Sequence, residues 1–489
     1  MLKTKTEFDL IVVGGGPGGS ALATFVALQG HRVLLLEKES FPRHQIGESL
    51  LPATIHGICP LLGVSEEIRQ ANFMRKMGGT FRWGTSGTPW TFNFSSSPRM
   101  ASSTGFAYQV ERSKFDAILL NNARRKGVDV REQVTVTDIL VEDGRARGVH
   151  CVDEAGNTRT VRGKYVADSS GNTSRIYKLT AQRVYSKFFE NVALFGYYNN
   201  GRRLPPPNQG NILCAAFDGG WFWYIPLTEQ LTSVGAVISR ELAPQMQDGR
   251  EEAMRKFIAA CPLIQEYLQG AERVTEGQYG KLRLRMDYSY CCDRFWSPGM
   301  MLVGDAACFV DPVFSSGVHL ATYSALLAAR SVNSCLRGNI DERQAFDEFE
   351  LRYRREYGNF YRFLVAFYDV NQDLESYFWS ARNVLHSPDK GNEAFIRLVA
   401  GISDSDESLL GNPADFFENL RSIGNSFQVA ASVPGEFDQI KLDRDFMAGF
   451  TREINHIQLH AMTHGRLPEA PLWERGLAPT ADGLHWQAV

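Results

Sequence analysis

Residues 8–38 read FDLIVVGGGPGGSALATFVALQGHRVLLLEK. A short apolar run ends in a glycine cluster, a helix-forming stretch follows, and a second apolar run begins at HRVLLLEK. The order is strand, turn, helix, strand. Gly14, Gly16 and Gly19 make G-x-G-x-x-G between the first strand and the helix. Glycine there permits a tight turn and lets a pyrophosphate approach the free N–H groups of the helix start. Glu37 closes the second strand, where a carboxylate can accept from adenosine ribose hydroxyls. This context predicts a dinucleotide site at the opening of a doubly wound α/β sheet. A glycine turn serving only packing is the other reading.

The 489-residue chain has an ordinary globular balance, with 44% hydrophobic and 22% charged residues and net charge −3. No basic field argues for nucleic acid or an anionic membrane surface, and no run reaches the roughly 18 apolar residues of a membrane span. The first apolar stretch runs straight into glycines, so it reads as a strand and not a signal peptide. Eight cysteines are scattered without a C-x-x-C pair, and no metal-ligand spacing occurs. Reduced thiols, no metal and a cytoplasmic location are expected.

Farther along, SKFDAILLNNARRK reads as a helix, VDVREQVTVTDILVED and ARGVHCVDE as alternating strands, and KYVADSSG as a return to the central sheet. Residues 186–275 are β-rich and punctuated by turns such as LPPPNQG, which suggests an inserted antiparallel sheet carrying a substrate pocket. The expected organisation is a discontinuous nucleotide-binding domain (1–185 and 276–342), a β-sheet substrate domain (186–275), and a mostly helical region (343–489) covering the active site. The last 25 residues or so, rich in Pro, Gly and Ala, are expected to pack loosely.

Two stretches choose FAD as the dinucleotide. YQVERSKFD (108–116), with Arg112, resembles the segment by which flavin monooxygenases and reductases hold their cofactor. LVGDAA, with Gly304 and Asp305, is similar to the flavoprotein motif whose aspartate binds the ribityl chain. Asp168 in VADSSG resembles the associated acidic turn. A surface ion pair for Arg112 and a helix cap for Asp168 are the structural alternatives.

PRHQIGESLLP (42–52), KMGGTFRWG (76–84), WFWYIP (221–226) and FVDPVFSSG (309–317) together resemble the flavin-dependent halogenases. WFWYIP fits that family's W-x-W-x-I-P through Trp221, Trp223, Ile225 and Pro226. FVDPVFSSG fits its F-x-x-P-x-x-S-x-G through Phe309, Pro312, Ser315 and Gly317. The resemblance runs from about residue 8 to at least 380. It implies an aromatic-hydroxylase-like FAD fold, a catalytic lysine at Lys76, and cofactor contacts from Arg43 and Pro312. Halogenases of free tryptophan carry a glutamate where Phe314 stands. Phe there is similar to the branch acting on phenolic or pyrrole rings, often on a carrier protein. FYDVNQDLESYFW (367–379) looks closest to chondrochloren-type members.

The resemblance also implies a mechanism. Reduced FAD and O₂ give a flavin hydroperoxide, and chloride attacks it to form hypochlorous acid. Lys76 then relays the oxidised chlorine to an electron-rich, phenolic ring in natural-product biosynthesis. Chloride is assigned to the backbone amides of Ser316 and Gly317 at a helix start, where N–H groups and the helix dipole favour an anion. Ser315 serving only as a helix cap is the alternative. Trp221 and Trp223, two apart on one strand, face the same side. They would wall the flavin off from substrate, or serve simply as core. Lys76 as a solvated surface charge is its bland reading. His319 is expected to pack within its helix, and Glu48 either serves as a polar group near the flavin or bonds neighbouring backbone. No nicotinamide site is evident, so a separate flavin reductase is expected to deliver FADH₂. A FAD-dependent monooxygenase or flavin-linked prenyl reductase of the same fold stays open, as does a flavin-binding sensor.

Overall fold

A computed structural model describes residues 7–82, 89–94, 105–246, 249–369 and 476–488. The opening strand, Phe8–Val13, lies at the centre of a parallel sheet, between Val33–Leu36 and Thr158–Asp168. Asp129–Arg131 extends one side and Met300–Leu302 the other. Leu10, Ile11 and Val12 are fully buried, as expected of a strand covered on both faces. The hairpin of Thr135–Glu142 and Arg145–Val152 attaches to the first half of Thr158–Asp168. Helices Pro17–Ala27, Arg112–Arg125 and Gly317–Arg337 pack together beside this sheet. The doubly wound α/β fold is therefore present, and the glycine turn stands at the carboxyl end of its first strand.

The second sheet is wider than the predicted insertion. Its order runs Cys308–Phe309, Arg283–Cys292, Arg183–Asn199, Leu231–Ser239, Gly220–Pro226, Ile212–Phe217, Gly78–Arg82 and Trp90–Asn93. The strands Gly78–Arg82, Trp90–Asn93, Arg283–Cys292 and Cys308–Phe309, expected within the nucleotide-binding part, thus belong to this sheet. Gly78–Arg82 pairs in parallel with Ile212–Phe217, a long-range pairing with no local sequence signature.

Side chains of this sheet alternate between two cores. Trp221, Trp223, Ile225, Phe195, Tyr197 and Cys214 belong to the core shared with the parallel sheet. Phe222, Tyr224, Leu194 and Leu213 face outward, where Met254, Phe257 and Ile264 of the helices at 250–267 cover them.

Residues after 342 begin with the helix Glu342–Asp369. The segment 370–475, which includes most of FYDVNQDLESYFW, lies outside the described residues. The expectation of a loose terminus is corrected at 476–488, where Leu477–Pro479 pairs with Trp486–Ala488 as a hairpin. Trp486 is fully buried against the helix Gly317–Arg337, donating through Nε1 to Ser331 Oγ at 2.9 Å. Arg330 and Arg352 stack on its ring and donate to the carbonyls of Gly483 and Leu477. Small residues supply the turns here, while one tryptophan supplies the anchor.

Candidate active site

One cavity of about 810 Å³ runs from Gly14 and Glu37 past Arg43 and Asp305 to Trp221, Trp223, Pro312, Ser315 and Gly317. At the glycine end, Gly14 has φ +103°, and a Cβ there would lie 2.5 Å from the Ser169 carbonyl oxygen. A Cβ on Gly19 would lie 1.9 Å from the Gly14 carbonyl oxygen, so the third glycine sets how closely helix and strand approach. Gly16 N-caps the helix Pro17–Ala27 without a side-chain hydrogen bond, leaving the helix start to an incoming anion. Glu37 accepts from the Gly15 amide at 2.6 Å and the Glu39 amide at 2.9 Å, which fixes its carboxylate at the cavity wall.

Arg112 is not on the surface. It is buried, pairs with Asp116 through Nε at 2.7 Å, and also donates to the carbonyls of Ile46 and Gly47. Arg43 reaches the same Asp116 at 3.0 Å and lies beside Gly16. Asp168 caps no helix; it accepts from Ser170 N–H, Ser170 Oγ and Ser174 Oγ, locking its turn. Asp305 lines the cavity, and burial raises its carboxyl above the usual range against the pull of Arg285, Arg112 and Arg183. Glycine backbone for a pyrophosphate, an acid at each expected hydroxyl position and basic residues between them fit an extended dinucleotide.

Trp221 and Trp223 both stand on the cavity wall, their ring centroids 6.2 Å apart. Trp223 is opposite Gly235 on the adjacent strand, where a Cβ would lie only 2.2 Å from the indole. The missing side chain makes the room the ring occupies. Trp223 Nε1 donates to Ser233 Oγ at 3.2 Å, and Trp221 Nε1 to Tyr368 at 3.1 Å, so both polar tips are satisfied.

Lys76 ends the strand Met74–Lys76 and is 2% exposed. Its Nζ donates to Ser49 Oγ at 2.8 Å and the Leu50 carbonyl at 3.0 Å, with Ser315 Oγ at 3.5 Å. Phe94 lies under the amine at 5.5 Å. Desolvation brings its pKa from the ordinary 10.5 to about 7, so a neutral amine is available near neutral pH. Lys76 is not on the cavity wall; Ser49 and Ser315 are, so the amine sits one residue behind it.

The FVDPVFSSG turn is held by Asp311, whose carboxylate accepts from Val313 N–H at 3.0 Å and Asn191 at 3.1 Å. Ser315 has φ +61° and closes the short turn Pro312–Phe314. The N-cap is Ser316, and its side chain makes no capping bond, so the alternative of Ser315 as the cap is set aside. The amides of Ser316 and Gly317 find no backbone acceptor among the described residues, and the space beside Gly317 is open. His319 is buried, stacks on Tyr323 and lies 3.4 Å from Glu356. Among the described residues, no helix is long and apolar enough to cross a membrane.

Known proteins resemble this chain in sequence and fold. The tryptophan halogenase family profile matches residues 9–101 and 97–420. The chain belongs to the tryptophan halogenase family. Tryptophan 2-halogenase of Chondromyces crocatus is 35% identical over 417 residues, 82% of this chain and 77% of that protein. The 1H-pyrrole-2-carbonyl-[peptidyl-carrier protein] chlorinase of Pseudomonas fluorescens is 29% identical, covering 75% of this chain and 84% of its own. Among solved structures, the myxobacterial chondrochloren halogenase aligns with TM-score 0.78 and 55% identity, over 99% of this chain and 100% of that one. This protein is a flavin-dependent halogenase, an enzyme whose cofactors are FAD, used as FADH₂, and chloride. Bound FADH₂ supplies electrons to O₂; the chain supplies everything that follows from position.

Several contributors to the halogenase site escaped sequence reading. Ser49 stood inside the quoted IGESLLP but carried no signal beyond adjacency to Glu48. Phe94 comes from a segment without a motif, and Tyr368 stood inside the quoted FYDVNQDLESYFW with nothing to mark it as a partner of Trp221. Arg285, on the strand Arg283–Cys292, lines the cavity because that strand belongs to the second sheet.

Proposed function

We propose that this halogenase chlorinates an electron-rich, phenolic ring in natural-product biosynthesis, with Lys76 as the relay and FADH₂ delivered by a separate reductase. The observation that carries the reading is the buried Lys76 amine, held by Ser49 and Leu50 and near Ser315 in the turn beside Gly317. Chloride is held by the amides of Ser316 and Gly317 in the first turn of a 21-residue helix, where backbone N–H groups and the dipole favour an anion. Gly14, Gly16, Gly19, Glu37, Arg43, Arg112, Asp305, Pro312 and Gly317 hold or frame the cofactor. Trp221 and Trp223 keep the substrate ring from the flavin, so only a small oxidised chlorine species passes to the amine.

Phe314 packs against Phe81 with centroids 6.4 Å apart, so the position beside Ser315 carries no acid. A ring whose own oxygen stabilises the cationic intermediate needs none. An indole is the second reading, favoured by the relative named tryptophan 2-halogenase. Carrier-tethered substrate is compatible with the pyrrole-carrier chlorinase relative.

The test is reconstitution with a flavin reductase, NADH, FAD, O₂ and chloride, offering phenolic, indole and pyrrole rings free and carrier-bound. Mass spectrometry should show the chlorine isotope pair on the phenol. The Lys76→Ala variant should lose it while still releasing hydrogen peroxide. Hydroxylated product, or chlorination surviving that change, overturns the reading.

A further inference from the structure

Glu48 stands on the wall of the flavin cavity and is 2% exposed. Its Oε1 accepts from Tyr197 O–H at 2.8 Å, and Tyr197 oxygen meets His44 Nε2 at 2.7 Å. Its Oε2 is buried and meets no donor at normal hydrogen-bond geometry among the described residues, although the Ser233 hydroxyl lies near the carboxyl. A buried carboxyl oxygen left unpaired costs free energy, so it implies an unseen partner or a role. His44, also on the cavity wall, is only half-buried, so the row Glu48–Tyr197–His44 leads from the interior toward water.

The halogenase reaction has a proton to account for. FADH₂, O₂, chloride, one proton and an aromatic C–H become FAD, the aromatic C–Cl and two waters. The O–O and C–H bonds break and the C–Cl bond forms. Of the four electrons taken by O₂, two come from FADH₂ and two from the ring and chloride. Of the four water protons, two leave FADH₂, one leaves the ring, and one must enter from solvent.

We propose that Glu48 delivers this proton to the flavin cavity and is reloaded through Tyr197 and His44. Glu48 releases its proton from Oε2. Tyr197 then donates to Oε1 and takes a proton from His44 Nε2, while His44 Nδ1 takes one from water. Rotation of the carboxyl presents the new proton to the cavity, and tautomer exchange resets the imidazole. The inference rests on the halogenase reaction but not on the phenolic substrate.

The electrostatics agree. Burial raises the Glu48 carboxyl to about 7, opposed by the nearby Ser233 and Tyr197 hydroxyls and by Arg112, with Glu111 adding to the rise. Burial, with Arg283, Arg112 and Arg43 facing the ring, lowers His44 to about 4, so it passes protons as a neutral imidazole and does not store them. Tyr279, 4.3 Å from the Tyr197 ring, donates to Glu111 and lies outside the row.

The test uses Glu48→Gln, which keeps an acceptor for Tyr197 but carries no transferable proton. Oxidised FAD should bind within about twofold of native by flavin fluorescence, while kcat for chlorination falls about 100-fold. Difference infrared spectroscopy of the FAD-free native protein should show one carboxyl band titrating near pH 7, absent in the variant. Tyr197→Phe should keep that band, lower kcat and raise the solvent isotope effect. Unchanged kcat in Glu48→Gln, or a Glu48 band that titrates as an ordinary carboxyl below about pH 5, overturns the proposal. If the native enzyme chlorinates indole or pyrrole in preference to phenol, the substrate reading falls and these arms still decide the relay.

Discussion

In the proposed relay, Lys76 is one residue that trades stability for chemistry. A fall from the ordinary 10.5 to about 7 corresponds to about 5 kcal/mol of preference for the neutral amine in the folded chain. The unfolded chain binds the extra proton between about pH 7 and 10.5, so this residue makes folding stability rise with pH across that window. Below about 7 the full cost of the buried charge is borne. Lys76→Met keeps the stem and removes the amine. It should stabilise the protein by about 1–3 kcal/mol near neutral pH and flatten that rise, measured by urea unfolding across pH. The same variant should lose chlorination. In the native enzyme, transfer to substrate should rise with pH through about 7 as the amine loses its proton, read in single-turnover quench experiments.

At the scale of elements, two close approaches locate the site. Gly14→Ala would bring a Cβ within 2.5 Å of the Ser169 carbonyl oxygen in a φ +103° backbone, so FAD affinity should fall more than about tenfold by fluorescence titration. Gly235→Ala would press a methyl into the Trp223 indole, costing about 1–3 kcal/mol and tilting the ring. Shifted tryptophan fluorescence and a larger share of hydroxylated or uncoupled product are the expected readouts. The β-rich runs between turn segments made Gly220–Pro226 and Leu231–Ser239 legible as strands, and the glycine spacing made the nucleotide turn legible. The neighbour of Ile212–Phe217 was not, because Gly78–Arg82 arrives from more than a hundred residues away and pairing at that range is decided by the whole packing. Lys76 could be singled out only through resemblance; its burial depends on Ser49, Leu50 and Phe94, none of which is its sequence neighbour. Arg112 likewise reads as one more charged helix residue until Asp116, Ile46 and Gly47 surround it.

At the scale of the molecule, the hairpin at 477–488 closes the far side of the helix that begins at Gly317. Trp486→Ala would empty a fully buried site and leave Arg330 and Arg352 without the ring they cover. A loss of about 3–5 kcal/mol is expected, seen as a lower Tm. Because the helix Gly317–Arg337 also packs on Pro17–Ala27, loosening it should weaken FAD binding without touching a cofactor contact.

The hairpin also constrains when the protein can become active. A ribosome releases the helix beginning at Gly317 long before it releases Trp486, so during synthesis one side of that helix waits for its cover. Nascent chains whose Trp486 has not yet been released should therefore hold the first turn of this helix less firmly, and bind FAD more weakly, than the folded protein.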